Sequence, residues 1–112
     1  MKNPDGYGKQ TRECGDTVEI FLKVSGENIT SVSFNISGCV NTYACAKAVV
    51  SLIEGKKISE AWKINPEKIA TYIKTLPPEE IHCAELAVEA LRIALMNYRE
   101  IAISPWKKIY RA

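Results

Sequence analysis

Residues 17–24 alternate in character: Val18, Ile20, Leu22 and Val24 fall on one side of an extended chain, and Thr17, Glu19, Phe21 and Lys23 on the other. A period of two with one apolar side is that of a strand with one buried face. Ser25-Gly26-Glu27-Asn28 supply turn chemistry, and the run from Ile29 to Ile36 again collects Val32, Phe34 and Ile36 on one face. Together the runs predict an antiparallel hairpin laid with one side against a core. Two strands make a thin sheet, so a third is expected from residues 5–13 or from a partner chain.

After Ser37-Gly38-Cys39 the period lengthens. From about Thr42, the residues Ala44, Cys45, Ala48, Val49, Leu52 and Ile53 recur at helical spacing, and Gly55 offers a stop. Ser59 or Asn65 can each cap a short helix; Pro66 and Glu67 make Asn65 the stronger start, of a helix running to about Thr75. Leu76-Pro77-Pro78 then imposes an elbow, because neither proline donates a backbone hydrogen bond and each restrains the residue before it. From Glu79 or Ile81 to about Ala102, a wide apolar stripe runs through Leu86, Ala90, Leu91, Ala94, Leu95 and Tyr98 on what should be the longest helix. Glu79, Glu80 and Glu85 suit the positive end of its dipole. The order predicts an α+β fold, a small antiparallel β-sheet of two to three strands packed against three to four α-helices. Residues 1–112 read as a single domain, with residues 104–112 a C-terminal tail that is either a docking segment or a flap covering the core, the flap being the favoured reading.

A chain of 112 residues, 46% of them hydrophobic, suffices for one core and not comfortably for two. Its 15 basic and 13 acidic side chains are scattered, which removes the electrostatic footprint of a nucleic-acid binder. No stretch approaches the roughly 20 apolar residues of a membrane span, and Met1-Lys2-Asn3-Pro4-Asp5-Gly6 lacks the apolar segment of a secretory leader. The expectation is a cytoplasmic protein with neither nucleic acid nor membrane as a partner. Four cysteines in that compartment would stay reduced, and grouped thiols there serve metals or catalysis.

Three of the four stand where one predicted element gives way to the next: Cys14 before the first strand, Cys39 between strand and helix, Cys83 at the opening of the last helix. A thiol near a helix N-terminus sees a positive potential that favours the thiolate, the form that binds metal and attacks sulfur. Asp16 lies two residues beyond Cys14, and His82, the one histidine, precedes Cys83. If the three loops converge, soft thiolates with a carboxylate or imidazole suit zinc, copper(I) or an iron–sulfur cluster, and spacing alone does not choose among them. Cys45, one turn inside a helix beside Ala44 and Ala46, reads as core packing. A structural zinc finger would carry a Cys-x-x-Cys knuckle, which is absent. A thiol enzyme using Cys39 or Cys83 with His82 and Asp16 is the catalytic alternative, without a nucleophile elbow or an oxyanion motif to support it.

Cys14-Gly15-Asp16 before a hairpin, Gly38-Cys39 at its end, and Leu76-Pro77-Pro78 leading to Ile81-His82-Cys83 resemble the IscU type, or NifU N-terminal type, of iron–sulfur cluster assembly scaffold. The likeness runs from about Asn3-Pro4 to Tyr98 and implies the SufE/NifU-like fold. It also implies a labile [2Fe–2S] cluster, or iron or zinc, held by Cys14, Cys39 and Cys83 with Asp16 and His82 as alternative or additional ligands. Cys83 becomes the persulfide acceptor, a cysteine desulfurase the sulfur donor, and apo iron–sulfur proteins or carriers the recipients. An Hsp70-type chaperone is a further implied partner, although Glu79-Glu80 follow the Leu-Pro-Pro motif where the chaperone-recognised version has a hydrophobic residue and a lysine. A zinc-bound sulfur acceptor of the SufU-like sulfurtransferase branch is the alternative, and the spacing from Cys39 to Cys83 lacks that branch's insertion.

Overall fold

The structure, a computed structural model, describes residues 4–12, 15–38, 40–74 and 81–103, with residues 101–103 as backbone alone. Cys14, Cys39, the Leu76-Pro77-Pro78 elbow with Glu79 and Glu80, and the tail from residue 104 lie outside the described residues. Three strands, β1 (Gly6–Thr11), β2 (Thr17–Ser25) and β3 (Asn28–Ser37), form an antiparallel sheet in the order β1-β2-β3. The third strand is thus the chain's own N-terminal segment. Helices α1 (Val40–Ile53), α2 (Ile58–Ala61), α3 (Pro66–Ile73) and α4 (Ile81–Ile103) complete the α+β arrangement.

The alternation in β2 works as expected. Val18, Ile20 and Leu22 are fully buried, while Thr17, Glu19, Phe21 and Lys23 keep contact with solvent. In β3 the period breaks once. Leu22 pairs with Val32 and Lys23 with Ser31, but Val24 pairs with Ile29, so Thr30 is the extra residue of a bulge. That bulge returns Ile29, fully buried, to the core face. A reading at period two places Ile29 opposite Val32, and only the bulge lets both face inward.

Strand β1 is shaped by what lies over it. A Cβ on Gly8 would stand 2.2 Å from the Ala90 carbonyl oxygen and 2.4 Å from the Ala94 nitrogen, so α4 rests directly on the strand's backbone. Gln10 Nε2 donates to Glu89 Oε2 at 3.2 Å, and the Tyr7 N–H donates to Asn97 Oδ1 at 2.9 Å, fixing the register of strand against helix. Helix α4 also covers β2, α1 lies on β3 and α4, and α3 closes against α1 and α4. One apolar cluster joins Val18, Ile20 and Leu22 to Val49, Ile53, Leu86, Leu91 and Leu95. Each such side chain contributes roughly 1.5–3 kcal/mol on burial.

Helix boundaries depart modestly from the periodicity. Helix α1 opens at Val40, ahead of Thr42; Val40 is 81% exposed and lies off the apolar stripe, so the periodicity does not show the first turn. Asn65 caps α3 through Oδ1, which accepts from the Lys68 N–H at 2.8 Å. Ser59 caps nothing: it lies inside α2, whose N-cap position is Lys57. Helix α3 stops at Ile73 because Lys74 turns to φ +66° and bonds back to the Ala70 carbonyl. Among the described residues no helix is long and apolar enough to cross a membrane.

Candidate functional site

The β1–β2 connection reverses within a few residues. The Arg12 N–H donates to the Asp16 carbonyl and the Gly15 N–H to the Arg12 carbonyl, both at 2.9 Å. Gly15 has φ +94°, a conformation costly for any residue with a Cβ. The tight turn places Asp16 beneath the end of β3. There a Cβ on Gly38 would lie 2.9 Å from Asp16 Oδ1 and 3.3 Å from Thr42 Oγ1, so glycine is what lets the backbone just after β3 close on the carboxylate.

The third segment is the first turn of α4. Cys83, third residue of that helix, is fully buried, and Thr42 Oγ1 of α1 lies 3.6 Å from its Sγ. The same Thr42 hydroxyl donates to Asp16 Oδ2 at 3.2 Å. Two expected ligands from opposite ends of the chain therefore meet on one buried threonine. Arg12 ties the turn to the helix as well: its Nη2 donates to Glu85 Oε2 at 3.0 Å and approaches the His82 carbonyl at 3.4 Å. With side chains 31% and 45% exposed, that ion pair adds little energy but fixes orientation.

Of the expected site residues, Asp16 and Cys83 are brought together, and Cys14 and Cys39 lie outside the described residues. Their chain neighbours Gly15 and Gly38 flank Asp16. His82 is half-buried and is held through its backbone carbonyl. Among the described residues, no three His, Cys, Asp or Glu side chains are grouped closely enough to hold a metal ion. Cys45 is fully buried within α1 as part of the core, and neither Cys45 nor Cys83 forms a disulfide.

Thr42, Arg12 and the contact that Gly38 makes with Asp16 escaped the sequence reading, which took Gly38 only as part of the Gly38-Cys39 motif. Thr42 had a signal, since it occupies the buried face that continues through Cys45, Ala46, Val49 and Ile53, and a hydroxyl on an apolar face needs a partner. Arg12 and Gly38 gave none, because their partners are remote in sequence.

The family model described as NifU-like N terminal domain matches residues 3–104. The chain belongs to the NifU-like N-terminal domain family. Among members of the family, an iron–sulfur cluster assembly protein IscU of Plasmodium falciparum is 40% identical over 78% of this chain and 53% of its own length. The iron–sulfur cluster assembly scaffold protein IscU 1 of Archaeoglobus fulgidus is 33% identical, over 88% and 65% respectively. The chain thus spans between half and two thirds of these two curated relatives. The NifU-like fold is seen also in solved structures. An iron–sulfur cluster assembly scaffold protein for the SUF system of Fervidobacterium islandicum superposes with a TM-score of 0.70 at 21% identity, covering 85% of this chain and 83% of that one. The N-terminal part of a NifU-like protein of Brucella abortus gives 0.72 at 14% identity, covering 89% and 83%.

Proposed function

We propose that this chain is a scaffold on which a labile [2Fe–2S] cluster is assembled and from which it passes to apo-proteins, held by Cys14, Cys39 and Cys83 with Asp16. The observation that carries the reading is the meeting of Asp16 and Cys83 on buried Thr42, with the Gly38 backbone close against the same carboxylate. His82 is an alternative ligand that takes part when one of the others is displaced. Membership of a family whose named members include cluster assembly scaffolds supports the same reading.

The cluster is cargo, and the donor set suits cargo. Thiolates bind iron strongly, while a carboxylate is a harder and less covalent ligand, so an Asp16 corner leaves the cluster easier to release. Sulfur arrives from a cysteine desulfurase. The Cys83 thiolate attacks the outer sulfur of the donor's persulfide, a new S–S bond forms on Cys83, and the donor thiolate leaves. An external reductant, a dithiol or two equivalents of a reduced ferredoxin, supplies the two electrons that turn this sulfur into sulfide and return Cys83 to the thiolate. Since Cys83 is fully buried, delivery requires local opening of the α4 N-terminal end.

Anaerobic reconstitution with iron and a sulfide source tests the reading. Equal iron and sulfide with a visible chromophore, lost in Cys39→Ala and transferable to an apo-ferredoxin, is the expected result. Tight zinc binding through the same cysteines without a cluster would reassign the chain to sulfur relay. Asp16→Cys should lengthen the lifetime of the cluster towards an acceptor severalfold; an unchanged or shorter lifetime would remove the role given to the carboxylate.

A further inference from the structure

Thr42 is the one fully buried polar side chain among the described residues. A hydroxyl taken out of water costs roughly 1–3 kcal/mol unless it finds a partner, and valine would fill the same volume without that cost. Thr42 Oγ1 reaches Asp16 Oδ2 at 3.2 Å and Cys83 Sγ at 3.6 Å. Those two groups come from the β1–β2 turn and from α4, and no described hydrogen bond joins one directly to the other.

We propose that Thr42 is a positioning residue of this site: its hydroxyl holds the Asp16 carboxylate and the Cys83 sulfur in the rotamers that present both to the incoming metal or cluster. What they are presented to rests on the scaffold reading; the positioning is a property of the chain itself. A hydroxyl carries one proton, so Thr42 donates to the carboxylate or to the sulfur in turn. Once one of the two coordinates the cargo, the same proton remains available to the other, and neither leaves the rotamer that the hydroxyl sets. The γ-methyl, meanwhile, packs with the apolar face of α1. Groups that orient metal ligands in this way typically change affinity 10–100-fold when removed.

Thr42→Val removes the hydroxyl at constant volume, and Thr42→Ser keeps it. Both are compared with the parent chain in two measurements: χ1 of Asp16 and Cys83 from three-bond NMR couplings in metal-free protein, and Co(II) affinity from the sulfur-to-cobalt charge-transfer band. Thr42→Ser should match the parent in couplings and stay within roughly threefold in affinity. Thr42→Val should show averaged couplings at Asp16 and about 10–100-fold weaker Co(II) binding with an unchanged circular dichroism spectrum. If Thr42→Val does not fold, Thr42→Ala takes its place with the same expectation. Parent-like couplings and affinity in the hydroxyl-free variant overturn the proposal. If the parent itself binds no Co(II), the scaffold reading falls, and the couplings alone decide whether Thr42 positions the pair.

Discussion

The two ends of the sheet are closed by different forces. At the end near Gly26, the start of β3 is stitched to the α1–α2 connection by backbone groups: the Ile29 N–H to Lys56 O and Gly55 N–H to Ile29 O at 2.8 Å, and the Ile58 N–H to Glu27 O at 2.9 Å. At the end near Asp16, backbone bonds close only the Arg12–Asp16 turn itself, and the contacts that carry it across to the helices are, among the described residues, made by side chains: Thr42 with Asp16 and Cys83, and Arg12 with Glu85 and the His82 carbonyl. Backbone bonds are indifferent to residue identity, so the first end can hold the fold through most substitutions. Side-chain contacts are specific and individually weak, so the second end can open locally without unfolding the sheet. The cargo site proposed above falls at the end where closure is cheaper to undo. The stable end is not featureless: Gly26, Ile58, Trp62 and Tyr98 line a cavity of about 340 Å³ there. It lies at the opposite end of β2 from Asp16.

The sharpest way to break this contrast is a pair of glycine substitutions, one at each end. In Gly38→Ala the new Cβ meets Asp16 Oδ1 at 2.9 Å and must push the carboxylate away from Thr42. Co(II) affinity should fall at least about tenfold. Gly26→Ala faces open space, and its φ of +63° costs about 1–2 kcal/mol. Its loss should appear in chemical denaturation while Co(II) affinity stays within roughly twofold. Equal loss of affinity in both variants would mean that the two ends are not independent.

A smaller effect is expected from Glu85→Gln, which removes the partially exposed Arg12–Glu85 pair. Stability should drop by less than about 1 kcal/mol, and the difference should shrink in high salt. A larger loss that persists in salt would show the site end carrying the fold, contrary to the division above.

The smallest expected change is confined to the outer face of the sheet. Burial, then the hydrogen bond and charge of Glu19, push the Tyr7 phenol up to about 12. Because the folded value lies above the ordinary one near 10, its contribution is complete below pH ~10 and is lost as pH rises through about 12. Tyr7→Phe should therefore remove a late-titrating tyrosinate absorbance and flatten the stability profile only in that window. A profile unchanged from the parent over that window would detach Tyr7 from sheet stability.

Much of the architecture was legible in the chain. The alternation of β2 and the stripe of α4 are local periodicities, and they name the buried face before any contact is known. The Asn65 cap and the turn at Gly26 were equally local, being fixed by the chemistry of a few adjacent residues. The candidate site was legible as a set of residue types at element junctions, and Asp16 and Cys83 do stand together. Thr42 was hidden because a threonine on a helix face is ambiguous until its neighbours are known.

By itself, then, the sequence determined the hairpin of β2 and β3, the three longer helices, the buried face of β2 and α4 and which polar residues stand at the junctions, because each follows from interactions between near neighbours along the chain, whereas it left the source of the third strand open. The tertiary structure decided the rest: the bulge at Thr30 that returns Ile29 to the core, the seat of α4 on Gly8, and the threonine that joins Asp16 to Cys83. Those features pair residues tens of positions apart, and the energy of such a contact depends on distances that only the packed fold sets.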